Sequence, residues 1–274
     1  MATRTEALPH LPAATSVGTV IPALSLWQRE VVRFYRNRSR VVGVIASPLL
    51  FWIVIGSGFG TSFRGGAADG QNYLTFFYVG ALTMIVLFTA IFTMMSVIED
   101  RNEGFLLSVL VAPVSRSVIV LGKVLGGATL AAGQGIVFLV FAPLIGIHFT
   151  AVSFALSVLT IFLIAFSLTA LGFIIAWPMD STQAFHAIIN LFLIPLWLLS
   201  GAMFPVSRAS FWIAAVMKIN PLTYGTEALR GLLFPGNAVD FSLPMSLGIL
   251  AVFTAVMFGI AFLVANRRTT KPAA

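Results

Sequence analysis

Long apolar runs recur along nearly the whole chain, at 41–60, 74–98, 118–147, 152–177, 184–204 and 243–265. A helix needs roughly 20 apolar residues to cross a hydrocarbon core of about 30 Å, so the sequence has room for six crossings and little beyond them. Only 9% of the residues are charged and 59% are hydrophobic; a soluble domain of this length would need a polar surface that they cannot supply. In lipid, every backbone polar group has to be satisfied within the protein, which leaves helices or a closed barrel. Barrel strands alternate apolar and polar over about 10 residues, whereas these runs are continuously apolar and too long. The expected fold class is all-α, a polytopic membrane protein with six transmembrane helices.

The formal charge of +7 follows from where the cations lie and calls for no nucleic-acid partner. With a cytoplasmic amino terminus, six crossings return the carboxyl terminus to the same side. That side then holds Arg4, Arg29, Arg33, Arg36, Arg38, Arg40, Arg101, Arg116, Lys123, Arg267, Arg268 and Lys271, and the exterior holds Arg64, Arg208, Lys218 and Arg230. Twelve against four is the bias of basic residues retained in the cytoplasm, and the expected location is the bacterial inner membrane. The chain has no cysteine, which excludes disulfides, thiolate metal sites and cysteine nucleophiles. Residues 1–23, rich in Ala, Thr and Pro, lack the apolar core of a cleavable signal. They are expected to form a disordered cytoplasmic tail, followed by a membrane domain over 24–268 and a short cytoplasmic tail over 269–274.

Residues 24–40, LSLWQREVVRFYRNRSR, read as a basic amphipathic helix. At 100° per residue Leu24, Trp27, Val31, Phe34 and Tyr35 share one face, and Arg29, Arg33, Arg36 and Arg40 the other. That pattern suits a helix lying in the membrane interface against lipid; the alternative is a soluble helix packed on another domain. Span three carries Gly122-x-x-x-Gly126 with Gly127, Gly133 and Gly135, small residues that let helices approach closely.

Two segments outside the runs are informative. The first, Glu99 to Arg116, holds three of the nine acidic residues around an apolar centre, Phe105 to Ala112. A solvated loop needs no such centre, whereas a short helix pressed on a partner protein or on lipid does. The stretch E-x-G-F-L-x-S-x-L-V-A-P-V-S-R with the following G-K resembles the signature loop of ABC-2 type transporter permeases. The resemblance continues through Met179-Asp180-Ser181-Thr182-Gln183-Ala184-Phe185-His186, L-L-S-G-A-M-F-P at 198–205, Asn220-Pro221-Leu222-Thr223-Tyr224 and Glu227-Ala228-Leu229-Arg230-Gly231. The chain is similar in particular to drug-resistance (daunorubicin-type) and nodulation-factor export permeases.

This resemblance implies half of an export pathway for a hydrophobic or amphiphilic substrate. Two copies would pair as a homodimer, each bound to a cytoplasmic ATPase subunit that carries the ATP and Mg. Trp27, Arg29, Arg33, Phe34 and Arg36 would belong to the interfacial helix, and Arg101, Asn102, Glu103, Gly104, Phe105 and Leu106 to the ATPase-coupling segment. The sequence agrees with that division of labour. A phosphate-binding loop needs G-x-x-x-x-G-K-[ST], but Ser117 stands at the first glycine of the one G-K pair and Val124 follows the lysine. No catalytic residue, cofactor site or metal site is expected in this chain.

The second segment, 205–235, contains an apolar stretch too short to cross, Phe211 to Met217, an interruption at Asn220-Pro221, and a second helical stretch from Thr223 to Leu233. It reads as a re-entrant exterior hairpin. Such backbone must be buried in protein or line a water-filled cavity. The functional reading is an exterior gate bearing Asn220, Pro221, Tyr224, Glu227 and Arg230; the alternative is an exposed cap with Glu227 and Arg230 paired. Polar residues within the runs, Thr89, Thr93, Gln134 and Asn190, are candidates for the path, and equally for interhelical ties. Two other functional classes compete with the permease: an ion-coupled secondary transporter, which would need buried carboxylates, and a non-transporting membrane scaffold.

Overall fold

The computed structural model describes residues 20–36, 38–60, 73–111, 115–236 and 239–267. The elements are α1 (Val20–Arg36), α2 (Arg38–Gly60), α3 (Tyr73–Thr93), α4 (Met95–Asn102), α5 (Phe105–Val111), α6 (Arg116–Val140), α7 (Ala151–Ala176), α8 (Thr182–Trp197), α9 (Phe211–Ile219), α10 (Pro221–Leu233) and α11 (Leu243–Asn266). Five helical segments are long and apolar enough to cross a bilayer: Tyr73–Asn102, Arg116–Ile145, Ala151–Ala176, Thr182–Ala202 and Leu243–Asn266. A shorter apolar helix, Leu49–Gly58, lies within α2, whose 23 residues extend about 35 Å at 1.5 Å per residue. These segments match the six apolar runs, and the fold is an all-α polytopic membrane protein.

Local chemistry sets the helix ends. Thr150 Oγ1 accepts the Ser153 amide at the start of α7, and Ser181 Oγ the Ala184 amide at the start of α8, each satisfying one of the donors a helix start leaves open. α10 opens on Pro221, where the missing N–H costs nothing. α3 is the central staff of the bundle, with 78% of its apolar window buried against 11% for α11. Phe77, Tyr78, Leu82, Ile85 and Val86 are sealed on all sides. Tyr78 stacks on Phe138 of α6 at 4.5 Å and donates its hydroxyl to the Phe138 carbonyl, while Trp52 of α2 donates to the Leu74 carbonyl at 3.0 Å. α6 and α7 flank α3, and α11 lies against α7.

The amphipathic helix differs from its expected form in extent and setting. α1 begins at Val20, so residues 20–23 are helical rather than part of a tail; residues 1–19, the expected 269–274 tail and Arg268 lie outside the described residues. The helix packs on protein. Its buried stripe is Ala23, Leu26, Glu30 and Phe34, and it runs against α6. The Gly122-x-x-x-Gly126 pair is its seat. A Cβ on Gly122 would stand 2.6 Å from Leu26 Cβ, and one on Gly126 2.8 Å from Glu30 Cβ.

Replacing Gly122 by Leu is therefore expected to push α1 off α6 at a cost of about 1–3 kcal/mol, the usual penalty of overpacking. Denaturation in detergent measures the loss. A single cysteine at Leu26, protected in the parent chain, becomes reactive to a polar maleimide when α1 lifts.

Candidate functional site

Two polar constellations stand out, at opposite ends of the bundle. At the first, α3 continues past a turn at Met94 into α4, and the chain turns at Glu103–Gly104 into α5. Gly104 has φ +76°, and a Cβ there would meet nothing; the left-handed backbone explains the glycine. Behind this turn the other expected coupling residues are engaged within the chain. Arg101 donates to the Trp177 and Met179 carbonyls and pairs with Asp180 at 3.3 Å. Asn102 Nδ2 donates to the Asp180 carbonyl at 3.4 Å. The Phe105 ring lies 3.7 Å beneath the Arg29 guanidinium, and Leu106 is buried. Glu103, 59% exposed, is left at the tip with Gly104.

Beneath the turn sits a cluster of paired charges. Arg29 grips Asp100 with both terminal nitrogens at 2.8 Å, and Arg33 donates to Asp100 at 2.8 Å, Glu99 at 3.0 Å and Glu103 at 3.3 Å. The hydrogen-bonded Asp100 carboxylate raises the Arg29 pKa above its ordinary value despite partial desolvation. Deeper still is Lys123 of α6, 1% exposed. Its Nζ donates to Glu30 Oε1 at 2.7 Å, to Ser96 Oγ at 3.1 Å and to Asp100 Oδ2, while Ser96 Oγ donates to Glu30 Oε2 at 2.8 Å. Asp100 is fully buried and Glu30 nearly so. Removing one partner from such a buried set typically costs about 3–5 kcal/mol, because the remaining charge is stranded.

The expected interfacial-helix residues divide between this cluster and α6. Trp27 Nε1 donates to Thr129 Oγ1 at 3.0 Å and Phe34 is buried, whereas Arg36 is exposed. Leu24 and Tyr35, expected on the same apolar face, are exposed; α1 thus has an apolar flank turned outward as well as the stripe turned inward.

At the opposite end α8 breaks. Pro195 lies inside it, and a wide π-type turn follows at Leu198–Ala202, with Gly201 at φ +80°. The fifth run is therefore an interrupted helix, and the re-entrant hairpin fills the interruption. Asn220 Nδ2 donates to the Leu196 and Leu199 carbonyls at 2.7 and 2.9 Å, its Oδ1 accepts the Leu222 amide, and Thr223 Oγ1 donates to Leu199 at 3.2 Å. Arg230 donates to the Gly201 carbonyl at 2.8 Å, pairs with Glu227, and stacks over Phe76 at 4.3 Å. Glu227 Oε2 accepts the Asp240 amide at 2.9 Å, and Asp240 accepts the Val206 amide at 2.7 Å. Tyr224 donates to the Lys218 carbonyl at 2.8 Å, and Pro221 opens α10. The Glu227–Arg230 pair is thus present at i, i+3 but buried, which overturns the reading of an exposed cap. α9, by contrast, is largely exposed, with Phe211, Trp212 and Ile219 turned outward.

Of the polar residues within the runs only Thr89 and Gln134 come together. Thr89 Oγ1 donates to Gln134 Oε1 at 2.6 Å, tying α3 to α6, and Thr93 bonds the Ala90 carbonyl in its own helix. All three are buried, while Asn190 faces outward from α8. Two of the four tie neighbouring helices and one stands on the outer surface. Among the described residues there is also no cluster of His, Asp and Glu suited to a metal ion.

The ABC-2 type transporter profile matches residues 23–234. The chain belongs to the ABC-2 type transporter family. It is 28% identical over 247 residues to a "Putative transport permease ycf38" of Cyanophora paradoxa, covering 85% of each chain. It is 24% identical over 249 residues to "Nodulation protein J" of Rhizobium leguminosarum bv. viciae, covering 89% of this chain and 94% of that one. A "Probable multidrug ABC transporter permease YbhR" of Escherichia coli (strain K12) is 28% identical over 182 residues, 65% of this chain and 48% of the relative. The protein is a membrane permease of an ABC transporter.

The residues of this ABC-2 permease that sequence reasoning missed are Glu30, Asp100 and Lys123. A signal was available: Lys123 is the single charged residue in all six apolar runs, and a cation there needs a buried partner.

The hairpin's role in satisfying the broken helix gives a direct expectation. Asn220→Ala leaves the Leu196 carbonyl and one bond to Leu199 unmatched and uncaps α10. It should lower stability by roughly 1–3 kcal/mol, read as a fall in midpoint denaturant concentration, whereas Asn190→Ala on the outer face should be silent.

Proposed function

We propose that the protein is the permease half of an ABC exporter for a hydrophobic or amphiphilic substrate, drug, lipid or glycolipid. A separate cytoplasmic ATPase holds ATP and Mg and docks on the Glu103–Gly104 turn. The observation that carries this reading is the form of that turn. Its back is fixed by Arg33 and Arg101, while its tip, an exposed carboxylate beside an unobstructed glycine, faces away from the bundle. Val111 at the end of α5 is 85% exposed, an apolar surface that a protein partner would cover. The names of the relatives, nodulation and multidrug permeases among them, support an amphiphile as cargo.

Two copies pair as a homodimer in this reading. Leu191, Phe192 and Ile194 on α8 and Phe211 on α9 form an exposed apolar surface next to the broken helix, and a second copy would close a path against it. The hairpin of α9 and α10 then stands at the exterior mouth as the gate. α1 lies along the cytoplasmic face of the inner membrane, with both termini cytoplasmic. Arg29, Val32, Arg33 and Arg36 line a cleft of about 330 Å³ facing lipid headgroups.

An ion-coupled transporter is the weaker reading. Glu30, Asp100 and Glu227 are buried carboxylates, which that mechanism needs, but each is paired with a lysine or arginine and leaves no vacant acceptor for a carried cation.

Because no described residue beyond its chain neighbours lies within 4 Å of a Cβ at 104, Gly104→Trp tests the docking face at the cost of left-handed backbone strain at that position. Together with Glu103→Arg it is expected to reduce co-purification of the ATPase subunit by about tenfold or more, equivalent to about 1.4 kcal/mol, and to abolish ATP-driven transport. Gly104→Asn, which tolerates a left-handed backbone, should retain both. Wild-type pulldown and transport by the Trp and Arg variants would overturn the docking assignment.

A further inference from the structure

One buried charge, Lys123, belongs neither to the proposed docking tip nor to the hairpin. Lys123 lies seven residues inside α6, about 10 Å along its axis, and is contacted by two other elements: Glu30 from α1 and Ser96 with Asp100 from α4. The same Asp100 is held by Arg29 and Arg33 of α1, and Arg33 also reaches Glu103 at the exposed tip. An unbroken chain of charge-assisted contacts therefore runs from Glu103 through Arg33 and Asp100 to Lys123. The links before Lys123 join α1 and α4 to each other; only Lys123 carries the chain onto a membrane-crossing helix other than the one α4 extends. A cation with two buried carboxylates around it has no good position except this one, so sliding either carboxylate away strands a charge.

We infer that Lys123 is a positioning residue that pins the α1–α4 pair onto α6, so that a displacement of the Glu103–Gly104 turn is delivered to α6 as motion of one rigid unit. The inference rests on the proposed docking of an ATPase at that turn, and it adds the route by which the stroke enters the bundle. Glycine packing supports the same junction sterically: Leu26 and Glu30 sit against Gly122 and Gly126, either side of Lys123 on α6. Apolar packing is weakly directional along a groove, and the lysine, together with the Trp27–Thr129 hydrogen bond, fixes the register of α1 on α6.

The chain's lack of cysteine allows labels to be introduced in pairs. A spin label at Gln28 on α1 paired with one at Val137 on α6, both exposed positions, reports the junction. A second pair at Val137 and Val256 reports α6 against α11. In the full chain with its co-purified ATPase, the Gln28–Val137 distance is expected to stay constant between nucleotide-free and ATP-analogue-bound states while Val137–Val256 shifts. In Lys123→Met the first distance should become nucleotide-dependent and the second shift should fall by half or more; Lys123→Arg should restore both. Should Lys123→Met not be recovered from membranes, Glu30→Gln releases the α1 arm alone and is expected to free the Gln28–Val137 distance. A variant in which that distance stays fixed and α6 moves fully would overturn the pin. Failure of the docking reading looks different: no pair shifts in the wild-type complex, or no ATPase is recovered. The isolated chain then still decides, with a narrow Gln28–Val137 distribution that broadens in Lys123→Met if the pin is real and is unchanged if it is not.

Discussion

Where α8 is interrupted, carbonyls lose their intrahelical donors, and other side chains have to supply the missing hydrogen bonds. Asn220 and Thr223 answer Leu196 and Leu199, and Arg230 answers Gly201. The re-entrant hairpin is therefore fastened to the broken end of α8 by the needs of the backbone. An arginine is well suited to the deepest position because its several donors satisfy a carbonyl and a carboxylate together. Glu227 neutralises it and spends its other oxygen on the Asp240 amide, which closes the network through Val206. If the hairpin acts as the proposed gate, a structure fastened this way would open by exchanging donors rather than by exposing unmatched carbonyls.

The same economy governs the other end. A chain with 9% charged residues places seven of them, Arg29, Glu30, Arg33, Glu99, Asp100, Glu103 and Lys123, into one contact network. Those charges are costly to bury, and their use is geometric. They hold α1, α4 and the spanning helix α6 in one register, which apolar packing between smooth helices does poorly. Pairing also removes them from ion binding, which is why buried carboxylates here do not revive ion coupling.

How legible was this in the sequence? The spans were, because an apolar run of bilayer length has few other uses. The re-entrant hairpin was, because Asn220-Pro221 divides a stretch too short to cross. The segment proposed for coupling is a turn, but which of its residues are engaged within the chain was not legible: Glu103 and Asn102 are exposed, while Arg101 bonds the Trp177–Asp180 turn and Leu106 is buried. The hydrophobic wheel of α1 misled, since it took Leu24, Trp27, Val31, Phe34 and Tyr35 as one lipid-facing surface and left Glu30 out of account. Tertiary pairing decides such a position, and nothing local to residue 30 reveals a lysine 93 positions away. Gly122-x-x-x-Gly126 was rightly read as a place of close approach, but the pattern does not name the helix that approaches. Counting Lys123 with the cytoplasmic cations concealed its burial.

The exposed apolar faces carry the argument one step further. α11 is the least buried spanning helix and is apolar all round, with Val252, Val256 and Leu263 turned outward; lipid satisfies such a surface. The face of α8 and α9 differs. It carries Asn190 and Gln183 among its apolar residues and adjoins a break in the helix. Hydrocarbon solvates an exposed asparagine poorly and a mixed polar–apolar path well tolerates it. The proposed pathway for amphiphiles would need a wall with that mixture, beside a segment able to change its hydrogen bonds, and among the described residues the two occur together along α8.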